Sequence, residues 1–160
     1  LNYIRSKESV CFETQQGSLT IRKDDYTSIY QIVISLESFS PLTTKLKLIK
    51  AWNSNLISGN THPWILSVYD LMILCDWLET PEEFLDYLNH RIENEKKGEI
   101  YSSDEVDYLG YYLAFGNLKQ PVIEKKSNFP IYITGFSIDI DRYYSHVSGK
   151  ITLDVKNLKR

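Results

Sequence analysis

Two short β-rich runs, Val10-Cys11-Phe12-Glu13-Thr14 and Ser18-Leu19-Thr20-Ile21-Arg22, flank Gln15-Gln16-Gly17 and predict a two-stranded ribbon. After Lys23-Asp24-Asp25, the run Ile29 to Leu36 is apolar at nearly every position and rich in β-branched residues, the pattern of a strand covered on both faces. Between Ser40 and Asn60 the apolar positions interleave with Lys45, Lys47 and Lys50 and the period fades, which reads as a surface excursion. A short strand from His62 to Leu66 then leads straight into the clearest region of the chain.

There the spacing predicts three helices, at about 67–79, 80–97 and 103–115. Ser67-x-x-Asp70 is a capping arrangement, with the serine oxygen free to take an unpaired amide and an acid in the positive first turn. Val68, Leu71, Met72, Cys75 and Leu78 follow at helical spacing. Ile73, Leu74 and Trp77 fill the other sides, so the first helix is expected to be buried almost all round. Thr80-Pro81-Glu82-Glu83 opens the second helix as a capping box with proline at the first helical position, and Phe84, Leu85, Leu88 and Ile92 form its apolar face. Its end, Glu93 to Lys97, reads as a solvated run. Ser102-Ser103-Asp104-Glu105 caps the third helix, which carries Val106, Leu109 and Leu113 and stops at Gly116.

Beyond Pro121 and Pro130 the pattern returns to strand in Ile131 to Thr134, then in Phe136 to Ile140 and finally in Ile151 to Val155. The fold class is therefore α/β or α+β, a mixed sheet of about five to six short strands with three central helices, in one domain over residues 1–160.

Composition narrows this picture. With 160 residues, 42% of them hydrophobic, the chain can bury one ordinary core, and 12 Tyr, six Phe and three Trp leave some rings partly exposed. A net charge of −3 argues against a surface built wholly for nucleic acid. The two cysteines, Cys11 and Cys75, lie far apart, and no apolar run is long enough to span a membrane, so a reduced cytoplasmic setting fits. The chain opens on Leu1 and closes on Asn157-Leu158-Lys159-Arg160, ends that look cut from a larger protein.

His62, His90 and His146 sit in separate segments without metal-ligand spacing, and no G-x-S-x-G or glycine-rich phosphate loop occurs. One arrangement carries chemistry: Asp139 and Asp141 on one strand-like run, then Asp154-Val155-Lys156 on the next. In a D…D-x-K site, Asp141 and Asp154 on adjacent strands hold Mg²⁺ and Lys156 orients the attacking water. Without it no cofactor is indicated, and the bland alternative is a solvated strand face. Tyr108, Tyr111, Tyr112, Tyr143 and Tyr144 form a second candidate, an aromatic interaction surface, against which stands packing beside Leu109 and Leu113.

Three stretches taken together resemble large bacterial proteins that carry a restriction-endonuclease-like region: Pro63 to Leu71 continuing to Phe84-Leu85-Asp86-Tyr87-Leu88; Asp104 to Leu113; and Phe136 with Asp141-Arg142-Tyr143-Tyr144. The resemblance implies that the nuclease acids and lysine lie upstream of this segment, that Ile29 to Leu36 is late in or just after that core, and that Asp141-Arg142-Tyr143-Tyr144 is structural. Its partners would be the rest of its own parent chain and, through that parent, nucleic acid. Three readings follow: a non-catalytic module of a nuclease-like DNA-processing or defence protein, a magnesium-dependent nuclease in its own right, and a protein-interaction domain with an aromatic surface.

Overall fold

The computed structural model describes residues 6–36, 63–121 and 130–148. In chain order the elements are β1 (Ser9–Thr14), β2 (Gly17–Arg22), a 3-10 turn (Lys23–Asp25), β3 (Ile32–Ser35), β4 (Trp64–Ser67), α1 (Val68–Trp77), α2 (Pro81–Lys97), β5 (Ile100–Tyr101), α3 (Glu105–Phe115), β6 (Ile131–Tyr132) and α4 (Ile138–Val147). The class is mixed α/β, as the pattern predicts. The described strands form three two-stranded sheets rather than one: β1 antiparallel to β2, β3 parallel to β4, and β5 parallel to β6.

The chain divides into two compact units, Leu1–Gln31 and Ile32–Arg160. In the first, the ribbon turns where expected: Gly17 adopts a φ of 128°, and the Thr14 hydroxyl donates to the Gly17 carbonyl at 2.6 Å.

In the second unit, the strand-to-helix step needs no loop. Ser67 ends β4 and caps α1: its Oγ accepts from the Asp70 amide at 3.1 Å while the Asp70 carboxylate accepts from the Ser67 amide at 3.0 Å. Thr80 and Glu83 make the same reciprocal pair at the start of α2, with Pro81 at its first position, and Gly98 closes that helix in the left-handed conformation. Asp104 caps α3 through the Val106 amide at 3.0 Å. Helix α3 is central, since α1, α2 and α4 all pack on it. Leu66, Leu74, Leu88, Leu109 and Ile140 are buried at the junctions.

Three expectations are corrected. Ile32, Val33 and Ile34 of β3 are 37–50% exposed, so the strand is not covered on both faces; among the described residues it has a single strand neighbour, β4. Helix α1 is not buried all round either, since Leu74 is its one fully buried residue and Tyr69, Met72 and Cys75 face solvent. Residues 138–140 belong to a helix, not a strand. Five alternating residues fit both periods, and the choice is made by contacts that lie far away in sequence: the Ser137 amide donates to Asp107 Oδ1 at 2.8 Å at the start of α4, and Ile140 buries at the helical period. The excursion at 40–60, His62 and the strand expected at Ile151 to Val155 lie outside the described residues.

Gly110 in α3 sets how closely α3 approaches the chain that enters α4. A β-carbon there would stand 2.0 Å from the Phe136 carbonyl oxygen, a backbone atom that cannot swing away. Gly110→Ala is expected to cost about 3 kcal/mol of unfolding free energy in urea. Gly116→Ala, with φ of 67° but open space around it, should cost about 1 kcal/mol. Equal losses would remove the close approach as the reason for this glycine.

Candidate functional site

Glu105, the first residue of α3, carries its carboxylate at the positive end of that helix and is only 4% exposed. Its Oε1 accepts from the Trp64 indole at 3.1 Å, from the Tyr87 hydroxyl at 2.6 Å and from Arg91 Nε at 3.1 Å, and its Oε2 also accepts from Arg91 Nε at 3.1 Å. Arg91 donates further to Glu95 at 3.4 Å and lies over the Tyr108 ring, 4.0 Å from its centre. Burial pushes the Glu105 carboxyl above the ordinary range, against the pull of Arg91 and the Tyr87 hydrogen bond. Burial works to lower the Arg91 guanidinium, but Glu105 and the neighbouring tyrosines outweigh it and hold it above its usual value. The Tyr87 hydroxyl rises through burial first and the Glu105 charge second. This hub is sealed from solvent, so its shifted groups cannot meet a ligand.

The open site lies elsewhere. Helices α1 and α4 bound a groove of about 970 Å³. Tyr69, Met72, Ile73 and Cys75 line it from α1, and Tyr144, Ser145 and Val147 from α4. At the C-terminal ends the two helices meet: the Tyr144 hydroxyl donates to Asp76 Oδ2 at 2.7 Å and Trp77 packs edge-on against Tyr143 at 5.5 Å. The walls stay apolar and solvent-facing, with Tyr69 66%, Met72 63% and Val147 64% exposed. Asp76, Asp141 and Ser148 complete the described lining, in which there is no Lys or Arg.

The sequence candidates separate accordingly. Tyr108 and Tyr111 are not surface residues: Tyr108 is 0% exposed, receiving the Ser102 amide at 3.0 Å, and Tyr111 packs on Phe115 and Phe136. For these two the packing alternative holds. Tyr112 is half-buried, donating to Asp86 at 2.6 Å, while Tyr143 and Tyr144 lie against α1. Asp139 and Asp141 sit in the first turn of α4 rather than on a strand, so the adjacent-strand geometry of a D…D-x-K site is not met by Asp141; Asp154 and Lys156 lie outside the described residues. Among the described residues no three His, Cys, Asp or Glu side chains gather as metal ligands, and no helix is long and apolar enough to cross a membrane.

Residue-by-residue reading missed the hub and the groove. One signal for the hub was present: an arginine between Leu88 and Ile92 on the apolar face of α2, with a glutamate directly after the cap of α3. The run from Glu93 to Lys97 also holds more than a solvated end. Asn94 is buried, and its side-chain amide brackets Ile100, donating to its carbonyl at 2.8 Å and accepting from its amide at 2.9 Å.

Removing one partner of the hub strands a buried charge. Arg91→Met alone is expected to cost about 3–5 kcal/mol in urea unfolding, whereas Arg91→Met combined with Glu105→Leu should recover a large part of that loss. A loss below about 1 kcal/mol for the single change would show that the pair does not organise the fold. At the groove, burial and then the hydrogen bond to Asp76 raise the Tyr144 hydroxyl above the ordinary phenol range. Its contribution is therefore complete below about pH 10, the unfolded value, and is lost as pH climbs through the higher folded value. Stability measured from about pH 9 upward should fall less steeply in Tyr144→Phe than in the parent chain; parallel curves would count against the bond.

No family model, curated protein or solved structure matches the chain, so the likeness to endonuclease-like bacterial proteins rests on its sequence motifs alone.

Proposed function

We propose that this chain is a non-catalytic α/β module that binds another protein segment in the groove between α1 and α4. The observation that carries the reading is the concentration of exposed apolar side chains, Tyr69, Met72 and Val147, on the two walls of one groove. Single exposed apolar residues are ordinary, but several that share a concave site favour a partner that removes them from water. Methionine on such a wall adapts to the shape of what it meets. Among the described residues, the strongly perturbed buried groups at the hub are closed off, which fits a structural role for them. The setting of the module in a larger bacterial nuclease-like protein is a further part of the proposal and is supported by the resemblance alone.

Selection of peptides from a displayed library against the full chain tests the docking reading. Selected peptides should lose about tenfold or more in affinity to Met72→Glu and to Val147→Glu, with circular dichroism confirming that both variants fold. Peptides indifferent to both substitutions would sink the assignment of this groove.

A further inference from the structure

The groove is apolar along its length but not electrically neutral, and its charge is of one sign. Asp76 lies at one end, beside the Tyr144 latch, and Asp141 in the first turn of α4 lies toward the other. Beside Asp141 stands Asp104, the cap of α3, which Asp70, Asp107 and Asp141 all face as like charges. The Asp104 carboxyl is raised by burial first and then by its three acidic neighbours, Asp70, Asp107 and Asp141. Asp107 is already engaged by the Ser137 amide and Asp70 by the cap of α1, while Asp141 is exposed on the groove wall. Nearby, Arg142 is paired with Asp139.

The shape constrains the occupant as well. Each wall is a helix of ten residues, which is about 15 Å long. Among the described residues the lining belongs to α1, α4 and the residue after α4, with no strand edge, so an extended segment laid there would find no ladder of backbone partners. A helix arrives with its backbone already satisfied and can place residues spaced i, i+3, i+4 and i+7 along the apolar floor.

Resting on the docking reading above, we infer that the occupant is an amphipathic helix that sets an apolar stripe between α1 and α4 and a cationic residue against Asp141. The same charge pattern disfavours an anionic membrane surface and a nucleic-acid strand, whose phosphates would face Asp76 and Asp141.

Defined probes separate this inference from the reading beneath it. Three synthetic peptides of about 15 residues, long enough to run the length of the walls, would share one leucine stripe: one flanked by lysines, one with glutamates in their place, and one lysine version broken by two prolines. Binding to the full chain is read by fluorescence anisotropy, and occupancy by the rate of alkylation of Cys75, which lines the groove, with exposed Cys11 as internal reference. The lysine peptide should bind and slow alkylation at Cys75 but not at Cys11. Its affinity should fall about threefold to tenfold in Asp141→Asn and also fall at high salt, as an exposed charge contact does. Equal binding of the glutamate peptide, or no effect of Asp141→Asn, overturns the cationic assignment and leaves the groove reading intact. Equal binding of the proline-broken peptide overturns the helical form of the occupant. Protection of Cys75 by phosphatidylserine vesicles would identify the occupant as a membrane and overturn the inference. If none of the peptides or vesicles protects Cys75, the groove reading falls with it.

Discussion

The carboxylate of Glu105 is the point on which the second unit depends. One side chain gathers the indole of Trp64 at the start of β4, the phenol of Tyr87 and the guanidinium of Arg91 from α2, and the amino end of α3, its own helix. Taking the charges of Glu105 and Arg91 out of water is costly, and it is offset by the three different donors on the carboxylate and by the two carboxylates that the guanidinium reaches. Attraction within the pair need not add net stability over an apolar equivalent. What it adds is directional: a leucine would accept many arrangements of these elements, whereas a carboxylate with three different donors accepts few. Glu95 and the ring of Tyr108 close the remaining sides of the guanidinium.

The groove follows from that fixed point through short, stiff links. Because Trp64 is tied to Glu105 and β4 runs into α1 at Ser67 without a loop, the origin of α1 is set relative to α3. Two other residues of α3 set the origin of α4: Asp107 receives its first amide, and Gly110 lets the Phe136 backbone come against the helix. Both walls are thus hung from one central helix. Toward their C-terminal ends the two walls meet, where Tyr144 reaches Asp76 and Trp77 packs on Tyr143.

What was legible in the sequence was local. Ser67 with Asp70, Thr80 with Pro81 and Glu83, and Asp104 before α3 are chemistry confined to four consecutive residues, and each helix started within two positions of its expected place. The errors arose where local signals were degenerate. Phe136 to Ile140 alternates like a strand, and only Asp107, some 30 residues earlier, identifies it as the approach to a helix. The all-round apolar character of α1 predicts burial, yet the same residues clothe both a core face and an open wall, and sequence period cannot tell a covered apolar face from an uncovered one. β3 repeats that lesson, being as apolar as a central strand while 37–50% exposed at Ile32 to Ile34. The hub was illegible for another reason: its members are separated by as many as 41 positions, and a polar residue on an apolar face announces that it needs a partner without naming which one.

The separation of hub from groove has a consequence for binding. A surface made of exposed apolar side chains on mobile elements would have to be ordered by each partner it met, at a cost set against the affinity gained. Here the frame of the groove is held by contacts within the chain itself. Glu105 and Arg91 fix the frame from inside, and the Tyr144 to Asp76 bond ties the ends of the walls. The charges of Glu105 and Arg91, which would be expensive to desolvate at an interface, are placed in the interior, where they are paired. The apolar groups that gain from desolvation are left outside. The burial of Tyr108 and the exposure of Met72 are therefore parts of one arrangement. An aromatic-rich sequence divides its rings between a core packed around Glu105 and the walls of an open groove.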